Sequence, residues 1–532
     1  MFKIKPKQAT FVYGEDVYNN LIPKDHFLCK VNESVDFSFA NKECADLYSP
    51  DMGRGVTNTP ERMLRAEFVQ YYYHLSDREM EEQAKYNIVV KWFLGLNLDE
   101  HGFDYSALSV FRSLLGEERH RTLFEKILGQ IISAGLITKD EKQYIDATNI
   151  IANIALPTVT QLINDGTRRI IAVLKECNSA GNNLEMRDME ERALQNPNEL
   201  KLPEDVKKKR LVQAVADARR AIKFAENFLR ENATSAEDAE KLETLIKMQK
   251  QVLQDNTEEK IVDGESSIKT REKGKRGTRR MVSYVDPDAK WGGKSWSNKF
   301  PGYKVHSTVS KNRFVTNIGV TDASVRDSQP AVRLVSEQQK IGLKPYKVIG
   351  DCIYGMGKGR RDFKDMGIQF VAPLRYPWNP VVGMFTNDMF IYDKDGDSVT
   401  CPGGQVTTHF SRMTGNARKF RFSRKQCAAC RSKELCTNSP YNLYRSVDVS
   451  DFYQEFEDAK IYNKSEEYKK EMNERRCIAE QKQAEMKQRH GLKRARYRGL
   501  SKVSIQAYLT AIVVNIKRFV KMIYQQIGRV ST

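Results

Sequence analysis

The sequence predicts an α/β protein whose strand-bearing middle is framed by helical ends. Three observations predict it. Residues 60–128 space their apolar side chains as helices do and carry helix-start signals. Between residues 142 and 375, β-branched runs take turns with helical ones. From about Ser450 the pattern is helical to the end.

Taken in order, residues 1–50 are weakly patterned, with one short element expected around residues 21–31. Pro60 suits a first helical turn, and Ser76-Asp77-Arg78-Glu79 is a Ser-x-x-Glu capping box. A further run, YSALSVFRSLLG, leads into EERHRTLFEKILGQIISAG. Residues 1–130 are therefore expected to form a helical domain with helix-turn-helix potential and a DNA-binding role. KQYIDATNIIANIAL then reads as a strand with Asp146 inside it. Residues from about 160 to 280 read as an insertion, with two long charged helices turning at Asn232–Ser235 and projecting as an antiparallel hairpin. Strand character returns at MVSYVDPDAKWGG, GYKVHSTVS and RFVTNIGVTDAS. A helix, QPAVRLVSEQQKIG, precedes the strand YKVIGD, and RRDFKDMG and IQFVAPLRY continue as helix and strand. The core's first part thus spans 131–375. Residues 376–445 are a basic, cysteine-bearing insertion, and 446–532 return to the core as helices.

Composition narrows the function. The chain has 532 residues, 40% of them hydrophobic, with 87 Lys+Arg against 69 Asp+Glu, a formal net charge of +18. Its mean hydropathy is -0.59 and its pI about 9.3. No apolar run reaches the roughly 18 residues of a membrane span, Leu509–Ile516 being interrupted by Thr510 and Asn515, and the N-terminus lacks a secretory h-region. Nine cysteines in this length do not make a disulfide scaffold. Membrane, collagen-like and small secreted classes are excluded, and a cytoplasmic, nucleoid-associated protein is expected.

The charge has an address. Between Arg475 and Thr532 fourteen Lys/Arg face only Glu480 and Glu485, a net +12, two-thirds of the whole excess. The same span contains VSIQAYLTAIVVNIKRFVKMIY, which should pack as a helix. A basic segment that folds onto a core suits a phosphate-binding face. Lys487, Arg489, Lys493, Arg494, Arg496 and Arg498 are its candidate DNA contacts.

Three carboxylates stand out by context. Asp146 sits in an apolar strand, where an ionised group is costly unless paired or metal-bound. Asp351 ends a strand at a loop, and Glu480 lies in a helix among cations. Three acids from distant segments, offered to one basic surface, are what a two-metal phosphoryl-transfer site needs. Singly, each also reads as a strand-end charge, a turn cap and a helix-surface ion pair. Arg476, Glu480 and Lys487 follow Arg-x3-Glu-x6-Lys, which places all three on one α-helical face. Asp288, Asp327 and Glu485 are the rival acids.

Separated pieces of the chain then converge on one family: LSDREMEEQ and KWFLGLNLDE near the start, YIDATNIIANIA, YVDPDAKWGG and TDASVRDSQ in the middle, GDCIYGMGKGRRDFKDMGIQFVAP, and IAEQKQAEMKQRHGLKRARYRGL near the end. In collinear order these resemble a DDE transposase of the bacterial insertion-sequence type, in the group with Tyr-x2-Arg-x3-Glu-x6-Lys around its catalytic Glu. The resemblance implies an RNase H-like catalytic domain with Asp146, Asp351 and Glu480 as catalytic, metal-binding triad. It also implies two Mg²⁺ or Mn²⁺ ions, Arg476 and Lys487 as companion cations, and Tyr354 as the Tyr three residues after the second Asp. Asn473 replaces the signature Tyr. The implied partners are double-stranded transposon ends and target DNA, bridged by a homodimer. The implied reaction is cleavage at terminal inverted repeats followed by strand transfer. A catalytically inactive, domesticated DNA-binding protein and a non-mobile RNase H-like nuclease are the alternatives.

Two further groups invite roles. Cys401, Cys427, Cys430 and Cys436 form C-x25-C-x2-C-x5-C, a set of four soft ligands suited to structural Zn²⁺, or else four ordinary thiols. Trp291 and Trp296, among lysines, suit stacking on an unpaired base, or else simple packing.

Overall fold

The computed structural model describes residues 14–48, 58–177, 184–195, 197–231, 235–262, 265–272, 276–277, 279–293, 297–374, 383–436 and 444–530. Trp296, and most of the expected turn at Asn232–Ser235, lie outside the described residues.

Short-range signals set the first helices. Thr59 caps α1 (Pro60–Tyr73) by accepting from Arg62 N–H, with Pro60 in the first turn. Ser76 and Glu79 close the expected capping box on α2 (Asp77–Tyr86). The long helix α3 (Tyr105–Ser133) bends at Gly116, whose φ of 64° an L side chain would resist. Leu64, Phe68, Phe93, Leu123, Phe124 and Ile127 bury the inward faces of this group.

The central sheet follows. β1 (Gln143–Ile151) is buried at Tyr144, Ile145 and Ile150. Next come β2 (Lys290–Gly293), β3 (Lys299–Ser310), β4 (Val315–Asp322), β5 (Lys347–Ile349) and β6 (Gln369–Val371). β3 pairs antiparallel with β1, placing Asp146 opposite Ser307, and on its other side with β2 and then β4. β1 pairs parallel with β5, and β5 with β6. The order is β2-β3-β1-β5-β6, with β4 also paired to β3, so the early hairpin strands and the later strand-helix-strand unit meet at β1.

Between β1 and β2 lie α4 (Val159–Glu176), the helix Leu184–Leu194, α5 (Glu204–Glu231) and α6 (Ala236–Asn256). The two long charged helices expected here are α5 and α6, and both pack on α4 as a bundle. Ala214, Ala218, Ala221 and Ala225 form a small-residue stripe on α5, and Ile163, Ile170, Ile171 and Leu174 of α4 belong to the apolar clusters built there. The strand expected over Met281–Gly293 survives only as β2. Its first part turns through Asp286 and Asp288, whose carboxylates accept from Gly499 and Leu500 N–H (3.1 and 2.8 Å). Residues 391–450 hold two small three-stranded sheets.

The C-terminal half resumes with α7 (Glu466–Arg475), a π-helical turn at Arg476–Glu480, α8 (Gln481–Arg489) and α9 (Leu500–Val530). Here one sequence expectation needs correction. Leu500–Gln526 is long and apolar enough to cross a membrane, but 89% of its apolar window is buried inside the protein. Asn515 explains part of that fit: its side chain accepts from Val315 N–H and donates to Val315 C=O, both at 2.8 Å, so it borders β4 as a strand would.

Candidate active site

Sheet topology brings distant acids to one place. Asp146 faces out from the middle of β1, Asp351 follows the neighbouring β5, and Glu480 closes the π turn that lies against both β1 and β3. All three line one cleft of about 1020 Å³, together with Lys304, Arg326, Asp327, Arg475 and Gln483.

Each acid is held differently. Asp351 Oδ1 accepts from Ile353 and Tyr354 N–H (2.9 and 3.3 Å), a turn that fixes the carboxylate at the strand end. Asp146 is largely buried and accepts from Arg475 Nη2 at 3.0 Å. Its carboxyl is raised to about 6: burial is the main cause, Arg475 pulls it down, and Asp351 and Glu480 add to the rise, as acids facing one space must. Glu480 is 54% exposed and accepts from Arg475 Nη1 at 3.3 Å.

Arg475 is the residue the sequence reading missed. A face of three at α-helical spacing selects Arg476, but the turn from Arg476 to Glu480 is π-helical. The widened turn brings residues five apart side by side, so Arg475 meets Glu480 while Arg476 is exposed and outside the cleft. Two adjacent arginines were visible; the widening was not. Gln483 was missed as well: its amide donates to Ser307 Oγ at 2.9 Å and to Asp146 C=O at 3.4 Å, tying α8 across β1 and β3.

The rival acids are committed elsewhere. Asp288 caps α9. Asp327 lines the cleft but pairs with Lys304 at 2.7 Å. Glu485 pairs with Lys482 and Lys517 (2.7 and 2.8 Å), locking α8 to α9. Although burial alone would raise it, these two ammonium groups hold the Glu485 carboxyl down to about 2. A depressed folded value makes its contribution to stability complete above the ordinary carboxylate range, and lost as pH falls towards 2. Glu485→Gln should therefore cost about 2 kcal/mol at pH 7. The difference from wild type should shrink below pH 4 in chemical denaturation; a pH-independent difference would contradict the pairing.

The proposed DNA contacts divide. Lys487, Lys493, Arg494 and Arg496 line a second cleft of about 630 Å³, facing His74–Asp77 of the N-terminal helices. Lys493 C=O accepts from Ile151 N–H (3.2 Å) and Ala495 N–H donates to Ile151 C=O (2.8 Å), so this basic segment is paired to the end of β1. Arg489 is exposed, and Arg498 donates to Asn153 C=O at 3.2 Å. Three of the candidates are engaged by contacts within the protein. Tyr354 is 1% exposed, with its hydroxyl 3.3 Å from His306 Nδ1, so it packs into the floor beneath Asp351. Arg496 stacks on Tyr71 and donates to Leu75 C=O, clamping the N-terminal helices to the basic segment. Trp291 lies under the Arg280 guanidinium, 5.4 Å from its ring centre.

Three hard carboxylates on one cleft suit a divalent cation. Cys401, Cys427, Cys430 and Cys436 line one small pocket, and Gln405 N–H donates to Cys401 Sγ at 3.4 Å. Among the described residues, however, no three His, Cys, Asp or Glu side chains converge closely enough to hold an ion as they stand. In the cleft, a guanidinium stands between two of the acids; the four cysteines share a pocket without converging on one point.

Comparisons with known proteins come from the two ends of the chain. Neither the curated proteins nor the solved structures gave a match. A family model described as Transposase domain (DUF772) matches residues 16–114, which include α1, α2 and the start of α3. A second, described as a transposase DDE domain, matches residues 400–520, which include Glu480 and the basic segment. With one model at each end of the same chain, the two matches together support an insertion-sequence transposase of the DDE type.

Proposed function

We propose that the protein is a DNA-cutting and strand-joining transposase with an RNase H-like core. The observation that carries this reading is the meeting of Asp146, Asp351 and Glu480 on one cleft from a strand, a strand end and a helix turn far apart in sequence. Bound divalent ions would supply Lewis acidity and an activated water or hydroxyl for in-line displacement at phosphorus. The chain's own part is to hold the acids in place. The Asp351 turn and the Gln483 tie across β1 and β3 do this without moving parts. In the first step a water oxygen bonds to phosphorus and the bond to the DNA 3′ oxygen breaks, leaving a 3′-OH. In the second that 3′-OH attacks a target phosphate and displaces its 3′ oxygen. The N-terminal helices and the basic cleft would hold duplex ends, two copies of the chain bridging a pair. The test is cleavage of labelled DNA carrying the repeats that flank the coding frame, with Mg²⁺ and with EDTA. Binding without Mg²⁺-dependent cleavage would sink the catalytic reading in favour of an inactive DNA-binding protein.

Lys493 and Arg494 would each neutralise a phosphate. Replacing both with Ala should lower the slope of log affinity against log salt by about 2, with little dependence on DNA sequence. Fluorescence anisotropy from low to moderate salt measures it; an unchanged slope would place the phosphates elsewhere. The cysteine quartet is proposed as a structural zinc site on its shared pocket alone, and one zinc per chain in freshly purified protein is expected. A metal content well below that would remove the proposal.

A further inference from the structure

The Arg475 guanidinium occupies the space that separates Asp146 from Glu480. Its side chain is only 8% exposed, Nη2 lies 3.0 Å from Asp146 and Nη1 3.3 Å from Glu480. Its Nε is buried without a partner among the described residues. A surface ion pair would leave its arginine hydrated. Here the fork is desolvated and committed at its two ends to acids on different elements, one on the sheet and one on the helix turn. The π turn that sets this up is itself a costly local geometry, and such turns collect at functional sites. Lys304, another cation on the cleft wall, is taken by Asp327, and Gln483 holds Ser307, so neither bridges the acids.

We propose that Arg475 is a positioning residue that stands in for a divalent cation. It joins Asp146 to Glu480 while no ion is held, and it must swing out for an ion to be held between them. This rests on the triad reading above and deepens it. A guanidinium between two carboxylates cancels their mutual repulsion and keeps the Glu480 turn docked on β1. A divalent ion needs the same oxygens and is repelled by the same positive charge, so ion and guanidinium exclude each other. The displaced fork would lie at the cleft wall, with geometry suited to a phosphate oxygen pair.

The test is Mn²⁺ binding to the full-length protein without DNA, read by electron paramagnetic resonance, together with thermal unfolding in EDTA. Arg475→Gln should bind Mn²⁺ about tenfold more tightly than wild type, by loss of the competing charge. In EDTA it should melt several degrees lower, and Mn²⁺ should restore more of that loss than it adds to wild type. Arg475→Lys, which keeps the charge but cannot span both acids, should lie between the two and guards against a variant that fails to fold. Unchanged or weaker Mn²⁺ binding in both variants would overturn the proposal. Asp351→Ala separates the two readings: if wild-type Mn²⁺ binding survives it, the triad assignment fails whatever Arg475 does.

Discussion

Replacing Asp351 with Ala, or Glu480 with Gln, should reduce cleavage of DNA ends by about 10³-fold while leaving DNA affinity within a few-fold of wild type. A fall of that size corresponds to about 4 kcal/mol of transition-state stabilisation, the scale a positioned divalent ion supplies at phosphorus. Binding should persist because the basic cleft near Lys493 and Arg494 is built on a different segment from the Asp351 turn. Asp327→Asn is the internal control. Asp327 borders the same cleft but is neutralised by Lys304, so its loss should cost less than about tenfold. Denaturing gels on labelled ends read both numbers. Cleavage that survives Asp351→Ala, or that falls equally for Asp327→Asn, would remove the assignment of roles within the cleft.

Gly302→Ala is expected to be the most disruptive single methyl among the described glycines. An added Cβ would sit 2.1 Å from the Ile150 carbonyl oxygen and 2.8 Å from Ala152 N, both backbone atoms of the neighbouring strand segment. With φ at +152°, the position also disfavours a side chain. Neither obstacle can rotate away, so β3 must part from β1 just where the basic segment pairs with β1. A loss of about 3 kcal/mol is expected, with a melting point several degrees lower and reduced cleavage. Gly342→Ala, whose Cβ would meet nothing within 4 Å, shares the positive φ without the clash and should cost less. Equal effects of the two would show that backbone conformation, not collision, sets the cost.

Much of this arrangement was legible because its signals are local or chemical. The Ser76–Glu79 box, Pro60, and the alternation around Asp146 depend on neighbours within a few residues, and the elements they announce are present. That a strand Asp, a strand-end Asp and a helix Glu would share a space followed from the cost of isolated charge and from the family resemblance. Three things were hidden for physical reasons. A π turn leaves no mark in spacing that presumes 3.6 residues per turn, so Arg476 was chosen over Arg475. Tyr354 reads as amphipathic, but only packing shows that its hydroxyl is spent on His306. The alanines on α5 needed the knowledge that a third helix, α4, lies opposite.

The pairing of Lys493–Ala495 with the end of β1 sets a fixed distance between the basic segment and Asp146. Asp146 and Ile151 are five residues apart on one strand, about 16 Å at strand spacing, close to the rise of five nucleotides along a duplex. If the basic segment grips the backbone and Asp146 marks the cut, the offset between grip and cut is a length fixed by strand geometry. Sequence changes at the DNA end would then alter how tightly the end is held, but not where along it the strand is broken.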